Sequence, residues 1–151
     1  DNHISWLDWG RLEEHPDLFE FVRGMIALRR AHPILRGATG PAACGWPDVS
    51  LHNGGAWDGW MDGETRQIGV MFAGRNPAGE GDDIVLLAIN AHWEKHDQHV
   101  PAAPGGMRWR LAVHTSCEQP FCPDTPFDGA VFTMGPRSVA VVIVEAVPET
   151  E

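Results

Sequence analysis

A group of histidines is the first feature of the sequence that could do chemistry. His92, His96 and His99 lie in the segment Asn-Ala-His-Trp-Glu-Lys-His-Asp-Gln-His, with Asp97 among them. Imidazole nitrogens and carboxylates bind zinc, and a His-x3-His-x2-His spacing suits the ion when a helix or a turn gathers the side chains. This segment follows a predicted strand and enters a loop, so its spacing does not prepare that geometry. We therefore predict no metal site and no cofactor, with zinc binding as the alternative.

Acidic residues near the start of the chain are the second candidate. Paired carboxylates perform acid–base catalysis when their surroundings push the two pKa values apart. Loop polarity and the preference for negative charge at a helix N-terminus explain these residues without catalysis. We predict no catalytic residue in this chain; the acidic residues considered are Asp8, Glu13, Glu14 and Asp17.

Tryptophan is abundant, with seven residues against no tyrosine. Planar apolar rings suit the faces of sugars, but they are also common in cores and interfaces. Trp57 and Trp60 lie in a Gly-rich loop, where rings can be exposed, and they are our candidate substrate-binding residues. Trp46 and Trp93 could extend such a platform. The alternative interpretation is that Trp60 and Trp93 cover one end of a β-sandwich core.

The remaining tryptophans are predicted to be structural. Trp109 alternates with Leu111 and Val113, which places it on the buried face of a strand. Trp6 and Trp9 are expected to pack between this sandwich and a neighbouring domain.

Length, charge and cysteine content limit the class of protein. A chain of 151 residues can bury one core. The formal net charge of −10 argues against a nucleic-acid partner, whose phosphates require a basic face, and no apolar run is long enough to span a membrane. Three cysteines, two of them spaced Cys117-x4-Cys122, indicate free thiols and a cytoplasmic location.

The elements that must position these residues follow from periodicity. Apolar residues recur at helical spacing between Leu18 and Ile26, Pro16 suits a first helical position, and Pro33 ends the pattern, which predicts one helix over about 16–31. Beyond it, short apolar runs alternate with Gly- and Pro-rich turns. The predicted strands are 49–52, 68–73, 83–91, 109–114, 130–134 and 138–144.

Short strands at regular spacing, separated by turn signals, predict a mainly β protein, an antiparallel β-sandwich preceded by one long α-helix. The runs 84–91 and 138–144 are apolar throughout, so the first should be central and the second buried. The Met-Gly-Pro-Arg segment 134–137 is predicted to form a hairpin turn.

Four strings carry a resemblance: Asp-Asn-His-Ile-Ser-Trp-Leu-Asp-Trp at the start, Val-Arg-Gly-Met-Ile-Ala-Leu-Arg-Arg-Ala-His-Pro-Ile-Leu-Arg in the helix, Val-Ser-Leu-His-Asn-Gly, and Leu-Leu-Ala-Ile-Asn-Ala-His. They resemble the C-terminal end of glycogen-debranching and isoamylase-type enzymes of the α-amylase superfamily. In such glycoside hydrolases a (β/α)8 barrel is followed by an all-β domain C.

The resemblance implies that residues 1–33 are the last loop and helix of the barrel and that residues 34–151 are the C-terminal β-sandwich. Asp1 and Asn2 would lie near the rim of the sugar cleft of the parent enzyme. The catalytic carboxylates of the family lie on earlier barrel strands, so no catalytic residue transfers to this chain. Asn90 and His92 match strand-end residues of the family, where the expected role is to hold the backbone.

Two classes of function remain. The first is the non-catalytic C-terminal domain of a debranching enzyme that cleaves α-1,6-glucosidic branches in glycogen or related α-glucans. The parent would be an enzyme and the 151-residue chain alone would not. Its partners would be α-glucan, through the parent, and its own barrel, with self-association of the isolated chain. The second class is an autonomous carbohydrate-binding or protein-interaction module.

Overall fold

The structure is a computed structural model that describes residues 2–37, 39–79, 81–121, 123, 125 and 127–147. Its contacts divide the chain into two compact units, Asp1–Ala31 and His32–Glu151. No described helix is long and apolar enough to cross a membrane.

The first unit contains helices α1 (Arg11–Glu14) and α2 (Pro16–Ala31). Pro16 occupies the first helical position of α2, where its missing N–H costs nothing, and Asp17 lies in the positively polarised first turn. Arg29 and Arg30 complement the last turn. The predicted helix is confirmed with these bounds. No α2 side chain is buried, and apolar residues of its stripe such as Leu18 stay exposed.

The second unit begins with a 3-10 helix at Pro33–Arg36, and the other regular elements among its described residues are strands. The strands are β1 (Val49–Leu51), β2 (Gln67–Arg75), β3 (Asp82–Asn90), β4 (His96–His99), β5 (Met107–His114), β6 (Val131–Met134) and β7 (Ser138–Ala146). Every described strand pair is antiparallel. A five-stranded sheet has the order β1-β2-β3-β7-β5, and a two-stranded sheet joins β4 to β6. The prediction of a mainly β sandwich with one long helix before it is confirmed.

The core is built from side chains that alternate along the strands of the large sheet. Met71, Leu86, Val142 and Leu111 are cross-strand neighbours in register, and all of them are buried. Phe132 and its neighbours in the small sheet pack in the same cluster. Because successive side chains of a strand point to opposite faces, this row lies on one face of the sheet.

Strand β3 is the central strand of the five and is almost wholly buried, as predicted from its continuous apolar run. β7 is buried as predicted too. Two aspartates at the start of β3 hold the preceding loops. The Asp82 carboxylate accepts the N–H groups of Ala43 and Cys44 at 2.6 and 2.8 Å, and Asp83 accepts the N–H of Ile34 at 3.1 Å.

Two details differ from the predictions. Residues His96–His99 form a strand, although the polar sequence indicated a loop. The predicted hairpin at 134–137 is wrong, because β6 pairs with β4 and β7 pairs with β3 and β5. The turn instead carries the chain from one sheet to the other.

Candidate functional site

The loop after β1 presents Trp57, one of the two candidate sugar-binding tryptophans. The backbone N–H of Trp57 donates to Nδ1 of the fully buried His52 at 2.8 Å. Trp57 has φ of 61°, a left-handed conformation that a bulky residue adopts only when its surroundings impose it. The buried imidazole therefore fixes the backbone that carries this indole.

The indole of Trp57 ends a series of aromatic contacts that starts in the core. Trp109 is 5% exposed and stacks on Trp46 at 6.2 Å between ring centroids. Trp46 meets Trp57 edge to face at 5.4 Å, and the His52 ring lies 4.8 Å from Trp57. Trp57 nevertheless remains 49% exposed, so about half of this residue stays accessible to solvent. The prediction that Trp109 is core is confirmed.

Trp60 is held through its backbone in the same loop. Its carbonyl accepts the Asn53 side-chain N–H at 2.7 Å, and its own N–H donates to Asp58 at 3.2 Å. Trp60 is 75% exposed and Trp93 is 59% exposed. The alternative in which Trp60 and Trp93 cover the end of the core is therefore wrong. Their large exposed rings are what a sugar-binding surface requires.

His52 also contacts Ser50, a pairing that in some enzymes activates the serine hydroxyl. Ser50 Oγ lies 2.8 Å from His52 Nε2. Because Nδ1 accepts the Trp57 N–H, the neutral ring carries its proton on Nε2 and donates it to Ser50. The imidazole therefore cannot take the serine proton, and the pair is structural. Burial lowers the pKa of His52, which keeps the ring neutral.

The two proposed rim residues lie at the chain start. Asp1 lies outside the described residues. Asn2 is exposed, and its side-chain oxygen accepts the N–H of Ile4 at 3.0 Å in a local turn. Their contact with sugar remains a prediction.

The structure brings together a different set of metal-binding donors from the one that spacing indicated. His92, Glu94 and His96 offer ligand atoms that all lie within 4.8 Å of one another. His99 is not in this group, and Asp97 instead accepts the Thr133 hydroxyl at 2.8 Å. The sequence analysis missed Glu94. Glu94 lies in the bend between β3 and β4, and strand or helix periodicity gives no signal for side chains that a bend brings together.

Asn90 is the residue that shapes this segment. Its side-chain NH2 donates to the carbonyls of Glu94 and Gly135 at 2.9 and 2.8 Å, and its oxygen accepts the His92 N–H at 3.0 Å. Asn90 is buried at the exit of β3. It therefore holds the backbone there, as the sequence analysis expected.

The resolved pKa shifts of carboxyl groups in the described residues all have the same direction. Burial acts to raise the pKa of Asp82, but the N–H groups of Ala43 and Cys44 outweigh it and the pKa is lowered. Burial likewise opposes the effect of Arg110 and Arg108 on Glu145, whose pKa is lowered too. Hydrogen bonds from backbone N–H groups lower the pKa of Asp62 and Asp128. Each shift that is resolved stabilises the carboxylate, the opposite of what protonating a leaving group requires.

Cysteines contribute no disulfide among the described residues. Cys44 and Cys117 are free thiols, and burial raises the pKa of Cys44, which makes it a poor nucleophile. Cys122 lies outside the described residues.

Fold and site together define a mainly β, sandwich-like domain that carries exposed aromatic rings. No family model matches the chain. Curated relatives do, and they are isoamylases. Isoamylase 3, chloroplastic, of Oryza sativa subsp. japonica is 30% identical over 142 residues, which are 91% of this chain and 17% of that protein.

Two bacterial proteins agree with this finding. Isoamylase of Pseudomonas amyloderamosa and isoamylase of Pseudomonas sp. (strain SMP1) are each 22% identical over 119 residues, 76% of this chain and 15% of theirs. The chain thus spans less than a fifth of the length of these relatives. The resemblance to isoamylase-type glycoside hydrolases is confirmed.

Proposed function

We propose that the chain is the C-terminal, non-catalytic region of a glycogen-debranching-type glycoside hydrolase that cleaves α-1,6-glucosidic branches in glycogen or related α-glucans. The observation that carries this proposal is the coverage of the match. An isoamylase is 30% identical over 91% of this chain, yet the match takes in only 17% of that protein. Most of the parent, including the barrel, would lie elsewhere.

A supporting role for the catalytic barrel is consistent with the electrostatics. Retaining glycosidases need two carboxyl groups about 5–5.5 Å apart, one of them protonated as the general acid. Every resolved carboxyl pKa shift in the described part of the chain is downward. Within this proposal the parent is an enzyme and the chain alone is not.

Hydrolysis by the purified chain tests the proposal. Glycogen, limit dextrin and pullulan are incubated with the 151-residue chain, and reducing ends are measured against a blank. We expect no turnover above the blank. Turnover that is lost on substituting one of the chain's own carboxylates would contradict a non-catalytic role.

A second candidate function is an autonomous carbohydrate-binding or interaction module, and the conformation of Trp57 favours it. A bulky residue at φ of 61° with a half-exposed ring is a strained feature of the kind found at binding sites. The ligand would be an α-glucan stacked on Trp57, with Trp60 of the same loop as a second candidate contact.

Titration of maltoheptaose against tryptophan fluorescence tests this platform. We expect saturable quenching that is lost in Trp57→Ala and weakened in Trp60→Ala. Trp9→Ala is the matched control, since Trp9 is as exposed as Trp60 but lies in the other unit. A signal that Trp57→Ala and Trp60→Ala leave unchanged removes the platform.

Location and partners complete the proposal. The partners would be α-glucan, through the parent, and the parent's own barrel. The free thiols Cys44 and Cys117 support a reducing compartment such as the cytoplasm. The name of the rice relative places that protein in the chloroplast, so it does not support a cytoplasmic location for this chain.

A further inference from the structure

The donors His92, Glu94 and His96 form a compact group outside the tryptophan loop. Among the residues that the structure describes, theirs is the group with three potential ligand atoms within 4.8 Å of one another. Nδ1 of His92 lies 3.8 Å from Oε2 of Glu94, and the rings of His92 and His96 meet edge to face at 4.5 Å. Zinc bonds of about 2.0–2.1 Å in a tetrahedron place ligand atoms roughly 3.3 Å apart. Nδ1 of His92 and Oε2 of Glu94 therefore need to approach each other by about an ångström or less.

Both histidines have nitrogen lone pairs that suit a cation. Nδ1 of His92 carries no proton, because it accepts the Glu94 N–H at 3.1 Å, and an ion that binds this lone pair displaces that hydrogen bond. Nε2 of His96 is shielded from solvent and has no hydrogen-bond partner among the described residues. An unpartnered buried polar atom costs free energy, and coordination by this ring relieves that cost.

The backbone of the donor segment is fixed before any ion binds. Asn90 holds the His92 N–H and the Glu94 carbonyl, and His96 pairs with Met134 at the start of β4. Trp93 stacks on the His92 ring at 4.1 Å. Donors on a preorganised frame lose little conformational entropy on binding, which favours affinity.

The chemistry of the donors selects the class of ion. Two imidazoles and one carboxylate are ligands of zinc, whereas calcium and magnesium take oxygen ligands. Three protein ligands leave a fourth position for water. Coordination through Nδ1 of His92 would take the lone pair from the Glu94 N–H.

We propose that His92, Glu94 and His96 bind Zn²⁺ and that the ion ties the loop after β3 to the first residue of β4. This site is independent of the glucan-related function. The histidine that spacing also indicated, His99, takes no part.

Calorimetric titration of ZnCl2 into the untagged, metal-free full chain tests the site. We expect saturable binding of one ion and a rise in melting temperature. Cobalt should give the visible absorption of a tetrahedral site. His92→Ala and His96→Ala should each weaken zinc affinity at least tenfold, while His99→Ala, a matched histidine on β4, should leave it unchanged.

Glu94→Gln tests the site in a variant that should stay folded, because the Glu94 side chain is mostly exposed. Circular dichroism of the metal-free variant should match that of the wild type. Its zinc affinity should fall as well. Absence of saturable binding by the wild type, or equal affinity in wild type, His92→Ala and His96→Ala, would overturn the proposal. Neither result bears on glucan hydrolysis or binding.

Discussion

His52 shows how one buried side chain controls a surface ring. Its two nitrogens hold Ser50 and the backbone of Trp57, and its ring supports the indole of Trp57. The Trp57 contact requires the neutral imidazole, because a proton on Nδ1 would oppose the Trp57 backbone N–H. The exposed candidate Trp57 therefore depends on a residue that sugar would never touch.

His52 should make stability depend on pH. Its pKa is lowered from the ordinary 6.5 by burial, so in acid the unfolded chain binds a proton that the folded chain does not. The stability that neutral His52 contributes is complete above about pH 6.5, and it is lost as the pH falls toward the pKa of His52 in the folded chain. We expect urea unfolding between pH 7.5 and 5 to show a smaller decline in His52→Asn than in the wild type.

The same substitution has a cost at neutral pH. Loss of the Ser50 contact in a buried site should lower the free energy of unfolding at pH 7.5 by about 1–3 kcal/mol. His99→Asn, at an exposed position on β4, serves as the control and should follow the wild type. Parallel pH profiles for wild type and His52→Asn would show that His52 is not the group responsible.

Strand β2 illustrates how an element fits its neighbours. Gly69 lies in the middle of β2, opposite Ala88 of β3, and its carbonyl accepts the His52 N–H at 2.8 Å. A methyl group at this position would collide with the backbone carbonyl and Cβ of His52. The absence of a side chain therefore lets the chain after β1 approach β2 closely.

Gly69→Ala should destabilise the sandwich by about 1–3 kcal/mol, because the obstacle is largely backbone and cannot rotate away. Gly63→Ala is the control: a methyl group there meets nothing within 4 Å, and we expect a change within about 0.5 kcal/mol. Urea unfolding monitored by circular dichroism compares the two. Equal stability of both variants would mean that β1 and β2 can separate freely.

At the scale of the whole molecule, α2 leaves an apolar face uncovered. Leu18, Val22 and Ile26 recur every four residues, and each is about half exposed or more. Large side chains of this kind contribute roughly 1.5–3 kcal/mol each when fully buried. In the parent enzyme we propose that the barrel covers this face.

The isolated chain should therefore self-associate, most simply as a two-fold dimer. Sedimentation velocity over a range of concentrations should show the dimer, and Leu18→Asp combined with Ile26→Asp should shift it to monomer. Ala27→Asp, at an exposed position on the opposite side of the same helix, is the control and should stay dimeric. A monomeric wild type at all concentrations would contradict this prediction.

Local pattern alone determined the helix and most of the sheet. The stripe from Leu18 to Ile26 and the prolines on either side set α2, and the apolar run of β3 marked it as a central strand. These features depend on neighbours in sequence, where periodicity is direct information on which side chains are buried.

Only the tertiary structure decided the strand β4 and the histidine group. Gln98 of β4 is fully buried, yet it is polar, because its NH2 finds the carbonyl of His52 from a distant loop. Asn90 holds the backbone of His92 and Glu94, and its side-chain NH2 also donates to the distant Gly135 carbonyl. Partners that lie tens of residues away satisfy these polar groups, and no periodicity of the sequence encodes such pairings.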